Sequence, residues 1–511
     1  MLWFLLSFIV SSSSLALFSF SITAIQTNMA TVIASESLKA RPIFHEEWHA
    51  GKKVRMRYHY EPHPVSWTTI VEEKMTASAL SEGSVTYSVN PHMHYLEQMY
   101  ARFHTPVSTV RPDCVDFVQI AMTPKAMHNL VETATLHLGS INLNMDHRVM
   151  DIKAQWDMKD GMYGPYMKSI GDVQELCNWT HKIESELLEM PQPWYFSVDS
   201  SQAIPLFQLR PLNPSFVYKY RTSLTQLIRM RVLKSKYDAY KDGGGVSTKS
   251  YKKPKSPASP SEQKGALYNE DDPQSDWVEI PLDLTLLTDE KDELRSIPEM
   301  WAIYGFTQDD EVKQWKDCRV NKYRSYDIPE MVHFQSDNNT KRGNNAVVAI
   351  KTPLPIRSID FVAEHVGSVE NRNHSNYTTK IDGSGVSPCE HYSLMVGDIK
   401  KADRVSCSRT RFMTAWLSSR SCPRELGYQR ISFVGDTPSL EPTTTLSAKD
   451  GTSKLTVFIN TKKVDDMSPD SEFMLHAYPT LMHRMELIYD EKAQKWNIKY
   501  DGTLMDDEKR S

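Results

Sequence analysis

The chain has 511 residues, 40% of them hydrophobic and 24% charged, which is the length and composition of a soluble protein with two or three domains. Its formal net charge of −5 gives no support for a nucleic-acid-binding surface, which usually requires a basic excess. The six cysteines show no Cys-x-x-Cys spacing and are too few for a disulfide scaffold, so a reducing compartment is favoured.

Residues 1–28 form an apolar N-terminal segment that carries no charge between Leu2 and Ile25. The segment is long enough to span a bilayer, but it lacks the basic start and the small-residue cleavage site of a signal peptide. Three interpretations stay open: a signal peptide, a membrane anchor, or a start codon assigned too early, with Met29 as the true first residue. We expect the mature protein to begin near Met29, because a free apolar tail on each subunit would cause aggregation.

The next motif, His45-Glu46-Glu47-Trp48-His49, fits His-Glu-x-x-His. On a helix, His45 and His49 would share a face and could bind zinc, with Glu46 as general base. Pro42 and Gly51 leave little room for such a helix, and no third ligand is evident downstream. We therefore expect a polar N-terminal loop here, with neither metal nor catalysis.

Residues 29–240 are predicted to form a first β-domain. Period-two alternation of apolar residues is typical of half-buried strands, and an unbroken apolar run is typical of a strand buried on both faces. Such patterns occur at 54–60, 84–89, 115–122, 133–143 and twice within 214–233. Gly139, in the middle of one of them, predicts a bulge or a turn.

Residues 241–275 differ in composition from everything around them. They contain Gly243-Gly244-Gly245, several lysines and prolines, and almost no hydrophobic residues. Such a stretch cannot bury enough apolar surface to order itself, so it is predicted to be a flexible linker or an exposed loop. Its lysines are interpreted as solvated side chains and not as a binding patch.

Residues 276–505 are predicted to form a second β-domain. Its short strand candidates lie at 277–287, 346–350, 359–362, 428–434, 455–459 and 485–489. Turn-forming pairs such as Asp382-Gly383 and Asp450-Gly451 separate many of them. Short strands and turn signals, repeated in both halves, predict an all-β fold with two β-sandwich or jelly-roll domains in tandem.

A series of segments resembles major capsid proteins of nucleocytoplasmic large double-stranded DNA viruses, of the phycodnavirus and iridovirus kind. The clearest is Pro193-Trp194-Tyr195-Phe196 followed by Ala203-Ile204-Pro205-Leu206, which is similar to the aromatic and proline-containing end of that family's first barrel. Other similar segments follow the family's order: Val131–Gly139, Met145–Arg148, Trp156, Tyr166–Gly171, Leu282–Arg295, Thr352–Val362, Tyr428–Phe433 and Glu441–Ser447. We interpret Trp194, Tyr195 and Phe196 as core residues and not as a sugar-stacking surface.

The resemblance implies two tandem eight-stranded antiparallel jelly rolls and the role of a structural major capsid protein. Three chains would form a pseudo-hexagonal homotrimeric capsomer that tiles an icosahedral shell, assembled in the host cytoplasm. The implied partners are other copies of the chain, neighbouring capsomers, minor capsid proteins and an internal virion membrane, without sequence-specific nucleic acid, cofactor or catalytic residues. Two alternatives stay open: a minor capsid or scaffold paralogue, and a secreted or membrane-anchored β-sandwich protein with a binding or hydrolytic function.

Two further patterns were weighed. Asn178, Asn338, Asn373 and Asn376 lie in Asn-x-Ser/Thr sequons and are candidate glycosylation sites. His92 and His94 could bind a metal across a strand, but isolated pairs of this kind are usually surface or interface residues. We therefore expect no metal site.

Overall fold

The computed structural model describes most of the chain between residues 43 and 505; its longest gaps are residues 59–68, 242–276, 313–322, 434–445 and 460–470. The described part is built from antiparallel sheets. The prediction of an all-β fold is therefore confirmed. The apolar segment 1–28 lies outside the described residues.

The strands alternate with short connections. In the first half of the chain they are β1 Ile43–His49, β2 Lys52–Tyr58, β3 Thr69–Lys74, β4 Thr76–Ser81, β5 Ser84–Ser88, β6 Tyr95–His104, β7 Ser108–Thr109, β8 Val118–Met122, β9 Val131–Leu138, β10 Ile141–Met145, β11 Lys182–Ile183, β12 Leu187–Pro191, β13 Ile204–Pro205, β14 Ser215–Tyr220, β15 Ile228–Leu233, β16 Trp277–Ile280 and β17 Glu299–Phe306. In the second half they are β18 Tyr323–Met331, β19 Phe334–Gln335, β20 Thr340–Lys341, β21 Asn345–Lys351, β22 Ile356–His365, β23 Cys389–Val396, β24 Ile399–Ser406, β25 Gln429–Ser432, β26 Thr452–Ile459, β27 Glu472–Asp490, β28 Lys495–Tyr500 and β29 Thr503–Met505.

The described helices are short. They are α1 Ala126–Leu130, α2 His147–Trp156, α3 Tyr163–Ser169, α4 Gln174–Cys177, α5 Leu206–Leu209, α6 Lys234–Lys241, α7 Val366–Glu370 and α8 Cys407–Arg409. Three 3-10 turns lie at Tyr195–Ser197, Leu224–Gln226 and Leu284–Leu286, and a π-helical turn lies at Thr410–Thr414. Among the residues that the structure describes, no helix combines the length and the apolar character needed to cross a bilayer.

The first barrel consists mainly of two sheets, with strand orders β10-β9-β14-β5-β4 and β12-β6-β17-β3. Side chains of both sheets enter one hydrophobic cluster, to which Leu136 and Phe216 contribute from one sheet and Met99 and Met300 from the other. Full burial of such side chains is worth about 1.5–3 kcal/mol each, so this cluster is what holds the two sheets together. Gly139, with φ of 69°, forms the turn between β9 and β10, as predicted.

The aromatic segment belongs to this core. Trp194, Tyr195 and Phe196 are 5%, 8% and 0% exposed. The Trp194 ring lies edge-on to Phe216, with ring centroids 5.9 Å apart. The interpretation of these residues as core aromatics is confirmed, because none of them presents a free face for a sugar.

The second barrel is formed by a large sheet, β25-β22-β27-β28-β29, and a smaller one, β21-β26-β23-β24. The long strand β27 also pairs with β18, β19 and β20. A second hydrophobic cluster joins the two sheets through residues such as Val348, Phe361, Leu394, Leu455 and Leu475. Each barrel therefore has its own hydrophobic cluster, and the first cluster also includes residues of the second barrel such as Val362 and Tyr478.

The boundary between the halves differs from the predicted one. Strand β16 pairs with β15, and β17 pairs with β6 and β3, so residues 277–306 complete sheets of the first barrel. The predicted start of the second domain at residue 276 is wrong for this reason. The predicted linker, residues 241–275, connects two neighbouring strands of one sheet; nearly all of it lies outside the described residues.

This connection leads to a testable expectation for limited proteolysis. Cleavage at lysines within residues 252–264 should give two fragments on a denaturing gel, because the composition of this stretch predicts an accessible chain. The fragments should stay together in native gel filtration, because β16 and β17 remain paired with strands of the other fragment. Separation of the two fragments under native conditions would contradict the observed pairing.

The His-Glu-x-x-His motif lies on a strand. Residues Ile43–His49 form β1, which pairs with β2, so the expectation of a loop at this place is wrong. Residues four apart are about 13 Å apart along a strand, whereas on a helix they are only about 6 Å apart along the axis and share a face. The backbone therefore does not bring His45 and His49 together as a metalloprotease helix would.

Candidate functional site

The two barrels meet along a surface that carries both charged and apolar side chains, and strand β22 shows why. All ten of its residues are buried, although their chemistry alternates. Ile359, Phe361 and Ala363 point into the core of the second barrel. On the opposite face, Asp360 and Glu364 form ion pairs that reach residues of the first barrel. Because successive side chains of a strand point to opposite faces, one strand supplies both a core and an interface.

The first barrel contributes helix α2 to this interface. The Asp146 side chain caps the helix: its Oδ1 accepts a hydrogen bond from the Val149 backbone N–H at 2.9 Å. Its Oδ2 accepts a second bond from the Tyr478 hydroxyl of β27, also at 2.9 Å. A single carboxylate therefore fixes the start of the helix and its position against the second barrel.

Arg430 of β25 lies at the other end of α2. Its Nε donates to Asp360 Oδ1 at 2.6 Å, and its Nη1 donates to Asp157 Oδ1 at 2.7 Å. The guanidinium also lies over the Trp156 ring, 5.1 Å from its centroid. Burial lowers the pKa of Arg430, but the two carboxylates outweigh burial and raise it, so the charge persists. Burial raises the pKa of Asp360 to about 6 even beside Arg430.

A third set of contacts surrounds Asp151 in the middle of α2. Asp151 is 1% exposed, and its carboxylate accepts from the Tyr377 hydroxyl at 3.0 Å and lies 2.6 Å from His128 Nδ1. Lys125 Nζ lies 3.9 Å from the same carboxylate and 2.6 Å from Glu425 of the second barrel. Burial raises the pKa of Asp151, but Lys125 and His128 hold it below its usual value.

Glu364 is the centre of the last set. Its Oε2 lies 2.7 Å from Arg148 Nη2 and 3.1 Å from His476 Nε2. Burial raises the pKa of Glu364, but the His476 hydrogen bond and the Arg148 charge lower it to about 2. Two further histidines, His147 of α2 and His374 after α7, lie beside this carboxylate. Their pKa values are lowered by burial first and by nearby arginines, that of His374 to about 4, so both rings are neutral.

We name these four sets of contacts, centred on Asp146, Arg430, Asp151 and Glu364, the interdomain cluster. Replacing a buried charge pair with apolar residues is often neutral, whereas removing one partner is costly. The cluster therefore contributes less to net stability than to the relative position of the barrels: only one docking geometry satisfies all of its charges. This fixed geometry is what the arrangement can do. His128 lies between the Asp151 carboxylate, at 2.6 Å, and the Tyr166 hydroxyl, at 2.7 Å, but all three side chains are buried, so a substrate cannot reach them.

The candidate glycosylation and metal-binding residues of the sequence lie outside the interdomain cluster or are inaccessible. Asn178 and Asn338 are exposed, whereas Asn373 and Asn376 are each 5% exposed, so the folded chain has no room for a glycan on those two. His92 and His94 lie in a turn before β6 and not on a strand, and His94 Nδ1 accepts from the Thr307 backbone N–H at 3.4 Å.

Comparison with known proteins identifies the fold. No protein-family model and no curated protein sequence matches the chain. Among solved structures, the PBCV-1 virus capsid has 11% sequence identity and a TM-score of 0.58, covering 83% of this chain and 96% of its own. The Faustovirus major capsid protein has 7% identity and a TM-score of 0.57, covering 84% of this chain and 92% of its own. The chain is a double jelly roll.

The coverage shows that the likeness extends over both barrels. At these identities the likeness concerns the fold, so the sequence resemblance and the structural likeness are two separate observations that agree. Several segments that carried the sequence resemblance form the interdomain cluster of this double jelly roll: Met145–Arg148, Trp156 and Tyr428–Phe433.

The sequence analysis did not identify the charged residues of the double jelly roll's interface. Asp360 and Glu364 look like solvent-facing positions of an alternating strand. The partner of Glu364, Arg148, lies 216 residues earlier in the chain, and Asp360 is linked to Asp157 of the first barrel only through Arg430. The sequence does contain one signal for these residues. Ile359, Phe361 and Ala363 mark the apolar face of β22, so the residues that alternate with them must lie together on its opposite face.

Proposed function

We propose that this protein is the structural major capsid protein of a large icosahedral DNA virus and that it acts without catalysis or cofactor. The observation that carries the proposal is the match over both barrels to capsid proteins, with 96% of the PBCV-1 chain and 92% of the Faustovirus chain covered. A binding or hydrolytic β-sandwich is disfavoured, because the His-Glu-x-x-His motif lies on β1 and a single sandwich domain would not require the second barrel.

The proposed capsomer is a homotrimer. Three chains of two similar barrels give six barrels around one axis, which approximate a hexagon and pack a facet without gaps. Closed threefold symmetry requires a heterologous contact between different surfaces of neighbouring chains. The interdomain cluster supports this arrangement because it fixes the angle between the two barrels before three chains meet.

Exposed apolar side chains on edge strands suggest where the subunits touch. Among the described pairings, β3, β4 and β24 are the outer strands of their sheets. They carry Ile70, Leu80 and Ile399, which are 57%, 61% and 61% exposed. Unpaired strand edges with apolar side chains invite association, and natural proteins usually cover them. We place the subunit contacts along these edges.

Negative-stain imaging of purified protein tests this proposal. We expect compact particles with a hexagonal outline and threefold symmetry. An Ile70→Asp/Ile399→Asp double variant should give folded single subunits, because both side chains are exposed in the isolated chain and their loss removes no core contact. Val386→Asp, at a position 41% exposed and outside these strands, serves as a matched control that should keep the hexagonal particle.

The finer parts of the proposal concern the virion. We propose that the capsomers contact neighbouring capsomers and minor capsid proteins, and that assembly takes place in the host cytoplasm. A minor capsid or scaffold role remains the second candidate. Particles that form hexagonal arrays at high concentration favour the major role, whereas single trimers that only decorate an existing shell favour the minor one.

A further inference from the structure

The three residues His147, Glu364 and His374 form a compact buried group within the interdomain cluster. One ligand atom of each, a ring nitrogen or a carboxylate oxygen, lies within 4.8 Å of the others. The three residues are 4%, 3% and 6% exposed. They come from the first turn of α2, the end of β22 and the loop after α7, so both barrels contribute.

Each of these residues has a buried polar atom without a hydrogen-bond partner among the described residues: Nε2 of His147, Nε2 of His374 and Oε1 of Glu364. Leaving such an atom unpaired costs about 1–3 kcal/mol, and native structures rarely leave three of them together. A single occupant placed between them would satisfy all three at once.

The chemistry of the three ligands selects the occupant. Two neutral imidazoles and one carboxylate are a ligand set typical of Zn²⁺. Arg148 binds only the other carboxylate oxygen, Oε2, and its charge is shared with Asp146 at 3.8 Å.

We propose that His147, Glu364 and His374 bind one zinc-class divalent ion that clamps the first barrel to the second. Ligand atoms around a tetrahedral zinc are about 3.4 Å apart and those of the observed group lie within 4.8 Å of one another, so the group would close by up to about 1.4 Å, which side-chain rotation can supply. A water molecule takes the fourth position in a three-ligand site of this kind. The role is structural: the ion bridges two elements that meet only in the folded chain.

Metal analysis of the full-length protein, purified without a metal-binding tag after expression with added zinc, tests the inference. We expect about one zinc per chain in the wild type, and background levels in His374→Asn and Glu364→Gln. His45→Ala and His49→Ala are matched controls that remove histidines from the β1 motif and should keep the zinc. A chelator should lower the unfolding temperature of the wild type but not that of His374→Asn, and added zinc should restore it.

If the variants fail to fold, X-ray absorption at the zinc edge of the wild type still identifies the ligands of the ion. Two imidazoles and one carboxylate around the ion support the inference. The inference would be overturned if the wild type held only background zinc and the chelator did not change its unfolding temperature. Bound water would then be the occupant of the group. Zinc that is lost in His45→Ala would also overturn the inference. A trimer without zinc would contradict only this inference, and a zinc-loaded monomer would contradict only the proposed function.

Discussion

Arg430→Met is expected to lower the free energy of unfolding by about 3–5 kcal/mol, mainly because it leaves the buried carboxylate of Asp360 without its partner; Asp157, whose side chain is 41% exposed, loses the same partner but stays in contact with water. Methionine keeps much of the aliphatic contact with Trp156, so the loss reports mainly on charge. In thermal unfolding the midpoint should fall by about 5–10 °C.

The pH dependence of this variant provides a second readout. Without Arg430, the guanidinium no longer offsets the burial of Asp360, so the folded pKa of this carboxyl, already raised to about 6 in the wild type, rises further above the unfolded value. An acid with a raised folded pKa binds more protons in the folded state, and stability then increases as the pH falls. The gap between variant and wild type should therefore narrow from pH 7 to pH 5.

Arg111→Met is the matched control. Arg111 pairs with Asp113 at 2.8 Å, but both side chains are largely exposed, so solvent and salt already screen the pair. Its midpoint should stay at the wild-type value. An equal loss in Arg111→Met and Arg430→Met would show that the interdomain cluster has no special role.

Gly427→Ala is expected to cost about 3–5 kcal/mol, since two penalties combine. The residue has φ of 99°, which alanine rarely adopts, and an added Cβ would collide with the backbone carbonyl and the Cβ of Tyr377. Tyr377 donates to Asp151 of the first barrel, so the shift would reach the interdomain cluster. In urea unfolding, the midpoint of the variant should move to a lower urea concentration than that of the wild type.

Gly161→Ala separates the two penalties. Gly161 also has a positive φ, 57°, but an added Cβ would meet nothing within 4 Å. In this variant the free energy of unfolding should fall only by the cost of a positive φ at alanine, about 1–2 kcal/mol. Equal losses at both positions would show that the contact with Tyr377 is not important.

The sequence was informative wherever local pattern decides structure. Alternation identified strands such as β5 and β21, and Gly139 marked a turn because the backbone there requires a positive φ. The sequence was less informative where the structure of a segment depends on a partner that is distant in the chain. Composition marks residues 241–275 as unable to pack, but it cannot show that β16 returns to pair with β15. The polar residues of β1 resemble a loop in the sequence, and only the pairing with β2, a strand that alternation does predict, shows that they form a strand.

The candidate site was almost invisible in the sequence for a physical reason. A charged residue such as Glu364 is stable in a buried position only when a partner such as Arg148 meets it there, and tertiary structure alone creates that pair. The same holds for His147 and His374, which are far apart in the chain and share no motif spacing.

Sedimentation velocity of the purified full-length protein at low micromolar concentration is the most direct test of the central claim. A capsomer with heterologous contacts should bury more than about 2,000 Å² per interface and stay assembled at this concentration. We expect one species of about 176 kDa, three times the chain mass of 58.6 kDa. A single species at the mass of one chain across the whole concentration range would contradict the capsomer and favour a β-sandwich protein that acts alone.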